Sequence, residues 1–301
     1  MDFDKEKQDR PRMPEWIRVK PFTGHGRNNV SEILDKYKLN TVCTSAKCPN
    51  LGECWHKKTA TFMILGDTCT RNCRFCSVNY GVPGPLDPKE SENVARAAKE
   101  MGLKYVVVTS VTRDDLPDGG ASVFAETIMK IREFSSGDIK VEVLTPDFKC
   151  NLNSLKAVLA ANPSVFNHNI ETVKRLSKEI RITASYENSL FVLTKASEIA
   201  EGKIPVKSGL MVGVGETDDE IVQCISDLRS AGVSMLTIGQ YLPPKKESWP
   251  LDRYVPPVKF EEWKDYAESL GFFNVASAPL VRSSYCAEDL SRSRVNHKTL
   301  S

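Results

Sequence analysis

Six of the nine cysteines in this 301-residue chain fall in one short stretch, as Cys43-x4-Cys48-x5-Cys54 and Cys69-x3-Cys73-x2-Cys76. Three thiolates at the second spacing can hold three irons of a cubane iron-sulfur cluster and leave the fourth iron without a protein ligand, open to bind a substrate. A structural zinc site wants four ligands closing a tetrahedron, usually as two paired knuckles, and neither triplet is paired. The upstream triplet implies a second cluster, because one cubane cannot use six cysteines. Its fourth ligand is missing locally. Arg282-Ser283-Ser284-Tyr285, near the C-terminus, supplies an unusual candidate, although alone it reads as a polar turn. Cys150, Cys224 and Cys286 have no partner spacing and read as ordinary small residues, Cys224 packing along a helix and Cys286 standing beside the presumed second cluster.

The elements that must position these thiols begin near Ala60. Short apolar runs, TFMILG, YVVVTSV, KVEVLTP, PSVFNHN, KSGLMVGVG and MLTIGQYL, alternate with longer segments of helical period. That grammar predicts α/β architecture with parallel strands joined by right-handed crossover helices. Thr217 and Glu220 predict a capping box, with Ile221, Ile225 and Leu228 on one face and Gly232 at the stop. Residues 91–102 carry the same pattern. Six strand-helix units fit before Pro243, so an incomplete, TIM-type partial barrel is expected rather than a closed eight-fold one. Three parts follow: an N-terminal extension over 1–59 with a helix near 31–38, the partial barrel over 60–242, and a C-terminal extension over 243–301 with a helix near 259–270. The Cys69 triplet comes directly after the first strand, at the strand end where such folds bind ligands.

Lys plus Arg number 41 against 39 Asp plus Glu, so no excess of basic charge points to nucleic acid or acidic lipid. No apolar run approaches the roughly 18 residues of a spanning helix, and the charged start does not resemble a signal-peptide core. A cytoplasmic, membrane-free protein is expected, in a compartment where thiols stay reduced and many cysteines mean metal or redox use. With no coiled-coil segment, a monomer is expected.

The Cys69 triplet and its place in the strand rhythm resemble the radical S-adenosylmethionine superfamily. CTSAKCPNLGECW, GDTCTRNCRFC, VTSVTRDDLPDGG, FNHNIETV, SGLMVGVGET, LTIGQYLPP and PLVRSSYCA, in that order from about Pro14 to Ala287, resemble the lipoyl synthase family. Biotin synthases and methylthiotransferases are similar in the core strands but lack the upstream triplet paired with RSSY. The resemblance implies a sulfurtransferase with two 4Fe-4S clusters and S-adenosylmethionine. Cys69, Cys73 and Cys76 would hold the cluster that cleaves S-adenosylmethionine. Cys43, Cys48 and Cys54, with a serine of RSSY, Ser284 ahead of Ser283, would hold an auxiliary cluster consumed as the sulfur source. Sulfur would enter at carbons six and eight of an octanoyl group on a lysine of a carrier domain. The partners implied are octanoylated acyltransferase subunits of 2-oxoacid dehydrogenases, the glycine-cleavage H protein, an electron donor such as flavodoxin or ferredoxin, and iron-sulfur carrier proteins.

Asn169 and Glu171 resemble the Asn-x-acid pair that contacts ribose hydroxyls in related sulfur-inserting enzymes, and Arg181 is a candidate for the methionine carboxylate. Otherwise Glu171 compensates a helix N-terminus and Arg181 is a solvated charge. Gly209 to Glu216 is similar to the superfamily's GxIxGxxE element, which makes Gly213 and Glu216 candidates near the adenosyl group. Arg113, Asp114 and Asp115, with Gly119 and Gly120 after them, form either a lining for the cofactor's amino-acid end or a plain solvated loop. His168, between two asparagines, reads as a hydrogen-bonded structural residue.

Overall fold

The computed structural model describes residues 12–17, 26–45, 48, 50–51, 54 and 60–284. Cys286 and Tyr285 therefore lie outside the described residues. The strands are β1 (Asn40–Thr41), β2 (Thr61–Ile64), β3 (Thr68–Cys69), β4 (Asn79–Tyr80), β5 (Tyr105–Ser110), β6 (Lys140–Leu144), β7 (Val165–Asn167), β8 (Val206–Val212), β9 (Met235–Gln240) and β10 (Asn274–Ser277). The helices used below are α1 (Gly26–Tyr37), α2 (Val42–Ser45), α3 (Glu90–Glu100), α4 (Ala121–Ser135), α5 (Leu152–Ala160), α6 (Lys174–Arg181), α7 (Tyr186–Ala200), α8 (Asp218–Ser230) and α9 (Pro257–Ser269).

The six expected strands are β2, β5, β6, β7, β8 and β9, neighbours in that order within an eight-stranded sheet, and their pairings are parallel. The sheet ends at β1 on one side and β10 on the other, so among the described residues it is open. Two edges go beyond the sequence reading. Asn40–Thr41 pairs antiparallel with β2, and the stretch expected only as a C-terminal extension sends β10 into the sheet parallel to β9. The motif NVAS carries one β-branched residue and no alternation, so its strand state comes from pairing Val275 with Leu236.

The local signals hold where they were strongest. β5 is buried almost throughout, as expected of a strand covered on both faces. In α8, Thr217 accepts from the Glu220 amide while the Glu220 carboxylate accepts from the Thr217 amide, and Ile221, Cys224, Ile225 and Leu228 are buried. Val94, Ala95, Ala97 and Ala98 form the inner face of α3. The helix expected near 31–38 runs over Gly26–Tyr37, and the one expected near 259–270 over Pro257–Ser269.

Strand alternation sorts side chains to two faces. Val106 and Val108 of β5 join the main helix-covered core, whereas Tyr105 and Val107 pack with Leu144 on the opposite face. That second face also holds a polar node drawn from four successive strands. Lys207 Nζ lies 2.9 Å from Glu142 Oε1, Tyr105 Oη donates to Glu142 Oε2 at 2.7 Å, and Asn167 Nδ2 donates to Glu142 Oε1 at 3.3 Å. Lys207 and Glu142 are fully buried. Further along β5, β6 and β8 the same face presents Thr109, Leu144 and Gly209 to a cavity. Among the described residues no helix is long and apolar enough to cross a membrane.

Candidate active site

A cavity of about 370 Å³ opens at the carboxyl ends of the strands. Its lining includes Cys69, Cys73 and Cys76, Val281, Arg282 and Ser283, and the apolar Met63, Val111, Leu210 and Leu242.

The loop from Cys69 to Cys76 is fastened at several points. Cys69 Sγ accepts the backbone N–H of Arg71 at 3.4 Å and of Thr112 at 3.3 Å. Arg71, nearly buried, forks between two carboxylates: Nε is 2.7 Å from Asp114 Oδ2, and Nη2 is 2.7 Å from Asp147 Oδ1. The Arg74 amide donates to the Ile180 carbonyl at 2.8 Å, and the Arg74 guanidinium sits 5.6 Å over the Trp249 ring. Burial pushes the Cys73 thiol up to about 12, against the pull of the Arg181 guanidinium, so in the metal-free state it holds its proton and metal loading must release it. In donor chemistry the set suits a cubane: three free thiols, with backbone N–H groups aimed at the sulfur of Cys69, on the wall of the cavity. Cys73 and Cys76 also line an outer hollow with Tyr80, Ile182 and Trp249, and Cys76 is the exposed one among the described cysteines.

The second triplet is held by backbone hydrogen bonds. Cys43 lies in α2, its carbonyl accepts the Cys48 amide at 3.0 Å, and the Cys54 amide donates to the Asn50 carbonyl at 2.9 Å. Burial pushes the Cys43 thiol up. The RSSY segment lies beside this triplet: Asn50 Nδ2 donates to the Leu280 carbonyl at 2.7 Å, and burial lowers the Arg282 guanidinium while its charge interacts with Cys48. Three free thiols, beside the segment that carries Ser283 and Ser284, have the donor chemistry of a second cluster with one oxygen ligand. Of the two serines, Ser283 belongs to the cavity lining, while Ser284 is partly buried and outside it. The segment is laid over β9 by Gln240, whose amide donates to the Pro279 carbonyl, and by Gly239, where a Cβ would meet the Val281 carbonyl oxygen at 2.1 Å.

Asn169, Glu171 and Arg181 all reach the cavity. Asn169 Nδ2 donates to Glu171 Oε1 at 3.1 Å, and Asn169 Oδ1 is buried without a partner. Glu171 has φ 68°, a strained value for a non-glycine residue, and is held there by ladder bonds from its amide to Gly209 and from the Met211 amide to its carbonyl. Burial pushes its carboxyl up despite Arg181 nearby. Neither alternative reading survives: Glu171 pairs with Asn169 rather than a helix end, and Arg181 is buried.

Gly213 and Glu216 are not in the lining; Gly209, Leu210 and Met211 are the part of that element which is. Glu216 accepts the Gly213 amide at 2.7 Å and the Val214 amide at 2.8 Å, closing the turn after β8. Gly213 has φ 93°, and a Cβ there would meet Gln240 Nε2 at 2.2 Å. Of the loop after β5, Thr112 lines the cavity, whereas Arg113 is tied to Asp115 and to the Leu65 carbonyl. Gly120 has φ 87°, and a Cβ there would meet Leu65 Cδ1 at 2.3 Å, so both features shape the loop's path rather than its lining. His168 is buried and doubly hydrogen-bonded, as read. Sequence reasoning missed Arg71 and Thr112. Arg71 lay in view inside the CTRNC motif, but nothing in the sequence announced its two carboxylate partners.

A family model described as the Radical SAM superfamily matches residues 63–228. A lipoyl synthase of Chloroflexus aurantiacus is 50% identical over 279 residues, covering 93% of this chain and 90% of that relative. One of Alkaliphilus metalliredigens is 50% identical over 278 residues, covering 92% and 95%. In fold, the chain is similar to the crystal structure of methylornithine synthase, with TM-score 0.54 at 12% identity over 86% of each chain. The ordered cysteine triplets, the open parallel barrel and half-identity along nearly the whole length converge: this chain belongs to the lipoyl synthase family of the radical S-adenosylmethionine superfamily.

Proposed function

We propose that the protein inserts two sulfur atoms, at carbons six and eight, into an octanoyl group amide-linked to a lysine of a carrier domain, such as that of a 2-oxoacid dehydrogenase acyltransferase subunit or the glycine-cleavage H protein. The observation that carries this reading is that one cavity is lined both by Cys69, Cys73 and Cys76 and by Val281, Arg282 and Ser283, with Met63, Val111, Leu210 and Leu242 also in its wall. When bound, one 4Fe-4S cluster supplies the electron that cleaves S-adenosylmethionine into a hydrogen-abstracting radical, and the other supplies sulfur.

Cys69, Cys73 and Cys76 would hold the first cluster; Cys43, Cys48, Cys54 and Ser284 the second. Serine beside thiolates is a weak ligand, because its hydroxyl loses a proton far less readily than a thiol, and a weak ligand suits a cluster that is taken apart. Arg181 would pair with the methionine carboxylate, Asn169 and Glu171 with the ribose hydroxyls, and Gly213 and Glu216 would fix the turn behind them. The apolar lining residues of the cavity would keep water from the radical. By this assignment residues 1–59 and 243–301, which also add β1 and β10 to the sheet, complete the second cluster site beside the six strand-helix units of 60–242. Electrons would enter from a flavodoxin or ferredoxin at the outer hollow shared by Cys73 and Cys76, and iron-sulfur carrier proteins would restore the second cluster. The reading is of a cytoplasmic monomer, supported by free thiols suited to a reducing compartment.

The test is incubation of anaerobic, reconstituted protein with an octanoylated carrier peptide, reductant and S-adenosylmethionine. Two sulfurs gained by the peptide are expected. Deoxyadenosine without any sulfur gain refutes the proposal. Iron and sulfide at about eight each per chain are expected for two cubanes.

A further inference from the structure

Arg181 is a buried cation on the cavity wall, yet among the described residues no carboxylate lies within 4.0 Å of it, and only Nη1 has hydrogen-bond partners inside the protein. Those partners are the Ile170 carbonyl at 3.3 Å, the Ser185 carbonyl at 3.5 Å and, much the closest, Ser189 Oγ at 2.7 Å. One end of the guanidinium fork is thus anchored while Nε and Nη2 are left for a ligand.

Ser189 is fully buried on α7, behind the cavity wall and not part of it. Its oxygen also lies 2.9 Å from His168 Nε2, and His168 Nδ1 lies 2.9 Å from the Thr145 carbonyl. These contacts fix the protons. A carbonyl only accepts, so Nδ1 carries the hydrogen; in the neutral ring Nε2 is then an acceptor, and the Ser189 hydroxyl donates to it. With its own hydrogen so committed, Ser189 Oγ turns its lone pairs to Arg181. The chain of donation runs Arg181 to Ser189 to His168 to the Thr145 carbonyl, each group satisfied in one direction only. Burial, with Arg181 close by, pulls the His168 imidazole down to about 4, consistent with the neutral ring the chain requires.

We infer that Ser189 and His168 are positioning residues that aim the free edge of the Arg181 guanidinium at the carboxylate of S-adenosylmethionine. Neither need touch the cofactor's carboxylate; Ser189 acts entirely from behind Arg181. The inference rests on the role proposed for Arg181 above.

The test is equilibrium binding of S-adenosylmethionine, and of its decarboxylated analogue, to the cluster-loaded, unreduced protein, where no cleavage occurs. Ser189→Ala and His168→Asn, which keeps a donor for Thr145 but loses the acceptor facing Ser189, should each weaken S-adenosylmethionine about tenfold, the scale of a hydrogen bond to a charged group. Both should leave the decarboxylated analogue unaffected. His168→Gln, which retains an acceptor at the Nε2 place, should restore most of the affinity. Arg181→Gln separates the two claims. If it weakens both ligands equally, the assignment of Arg181 fails; if it discriminates between them while Ser189→Ala and His168→Asn do not, the positioning chain fails. Equal weakening of both ligands by Ser189→Ala, as from a merely structural defect, also overturns the inference.

Discussion

Arg71 Nη2 stands 2.7 Å from Asp147 Oδ1, tying the middle of the Cys69–Cys73 loop to the residue just past β6 and its neighbouring turn. The second oxygen is engaged as well, at 2.8 Å from Nη1. The loop proposed to hold the first cluster is thereby clamped by a two-pronged ion pair rather than by packing alone.

The clamp has a pH signature. Burial raises the Asp147 carboxyl but Arg71 more than offsets this, bringing it from 3.8 to about 2. A carboxyl depressed in the fold contributes stability above its unfolded value and loses it as pH falls through the folded one, so about 2 kcal/mol should disappear between roughly pH 4 and pH 2. Denaturant unfolding across that window should show the loss in the parent and a flatter limb in Asp147→Asn. Parallel limbs would remove the clamp as the cause.

The two triplets should separate by function. Cys69→Ala, Cys73→Ala or Cys76→Ala should abolish S-adenosylmethionine cleavage. Cys48→Ala should still release deoxyadenosine while inserting no sulfur, read by mass spectrometry of the carrier peptide. Normal sulfur insertion by Cys48→Ala would end the sacrificial role assigned to that site.

The serine assignment makes a sharper demand. Ser284→Ala should lower sulfur insertion at least tenfold and reduce iron toward one cubane per chain, with Ser283→Ala milder. The reverse order would move the ligand to Ser283, the serine that lines the cavity.

At Gly209 a Cβ would meet Asn169 Oδ1 at 2.7 Å and Thr237 Oγ1 at 3.0 Å. Gly209→Ala should therefore push Asn169 from its place beside Glu171 and weaken S-adenosylmethionine binding about tenfold, with melting temperature changed by only a few degrees. Unchanged affinity would detach Asn169 from the cofactor.

Lys207 and Glu142 allow a stability test away from the cavity. Lys207→Met strands a fully buried carboxylate and should cost about 3 kcal/mol, whereas Lys207→Met with Glu142→Leu should recover part of the loss. A double variant no better than the single would mean that the stranded charge on Glu142 is not the source of the loss, and that the contacts of Glu142 with Tyr105 and Asn167 carry it instead.

The strands were legible wherever burial on both faces left a run of β-branched residues, as in YVVVTS, and α8 because its capping box is local chemistry. β10 was not, because NVAS becomes a strand only through its partner β9. In the site, cysteine spacing is itself the chemistry, so both triplets stood out. Asn169 and Glu171 were found as a motif, although their contact depends on the unusual backbone at Glu171. Gly213 and Glu216 matched a motif whose work in this fold is closing a turn. Ser189 was invisible: a serine on a helix signals nothing until folding brings Arg181 and His168 to it.

The contact of Asn50 with Leu280 joins residues 230 positions apart. On the ribosome, at roughly 5–20 residues per second, the early cysteines emerge on the order of ten to fifty seconds before the late segment that adjoins them. Throughout that interval Cys43, Cys48 and Cys54 have no finished wall beside them. By the assignment proposed for these thiols, a cluster could be enclosed there only after Leu280 and the segment around it have left the ribosome.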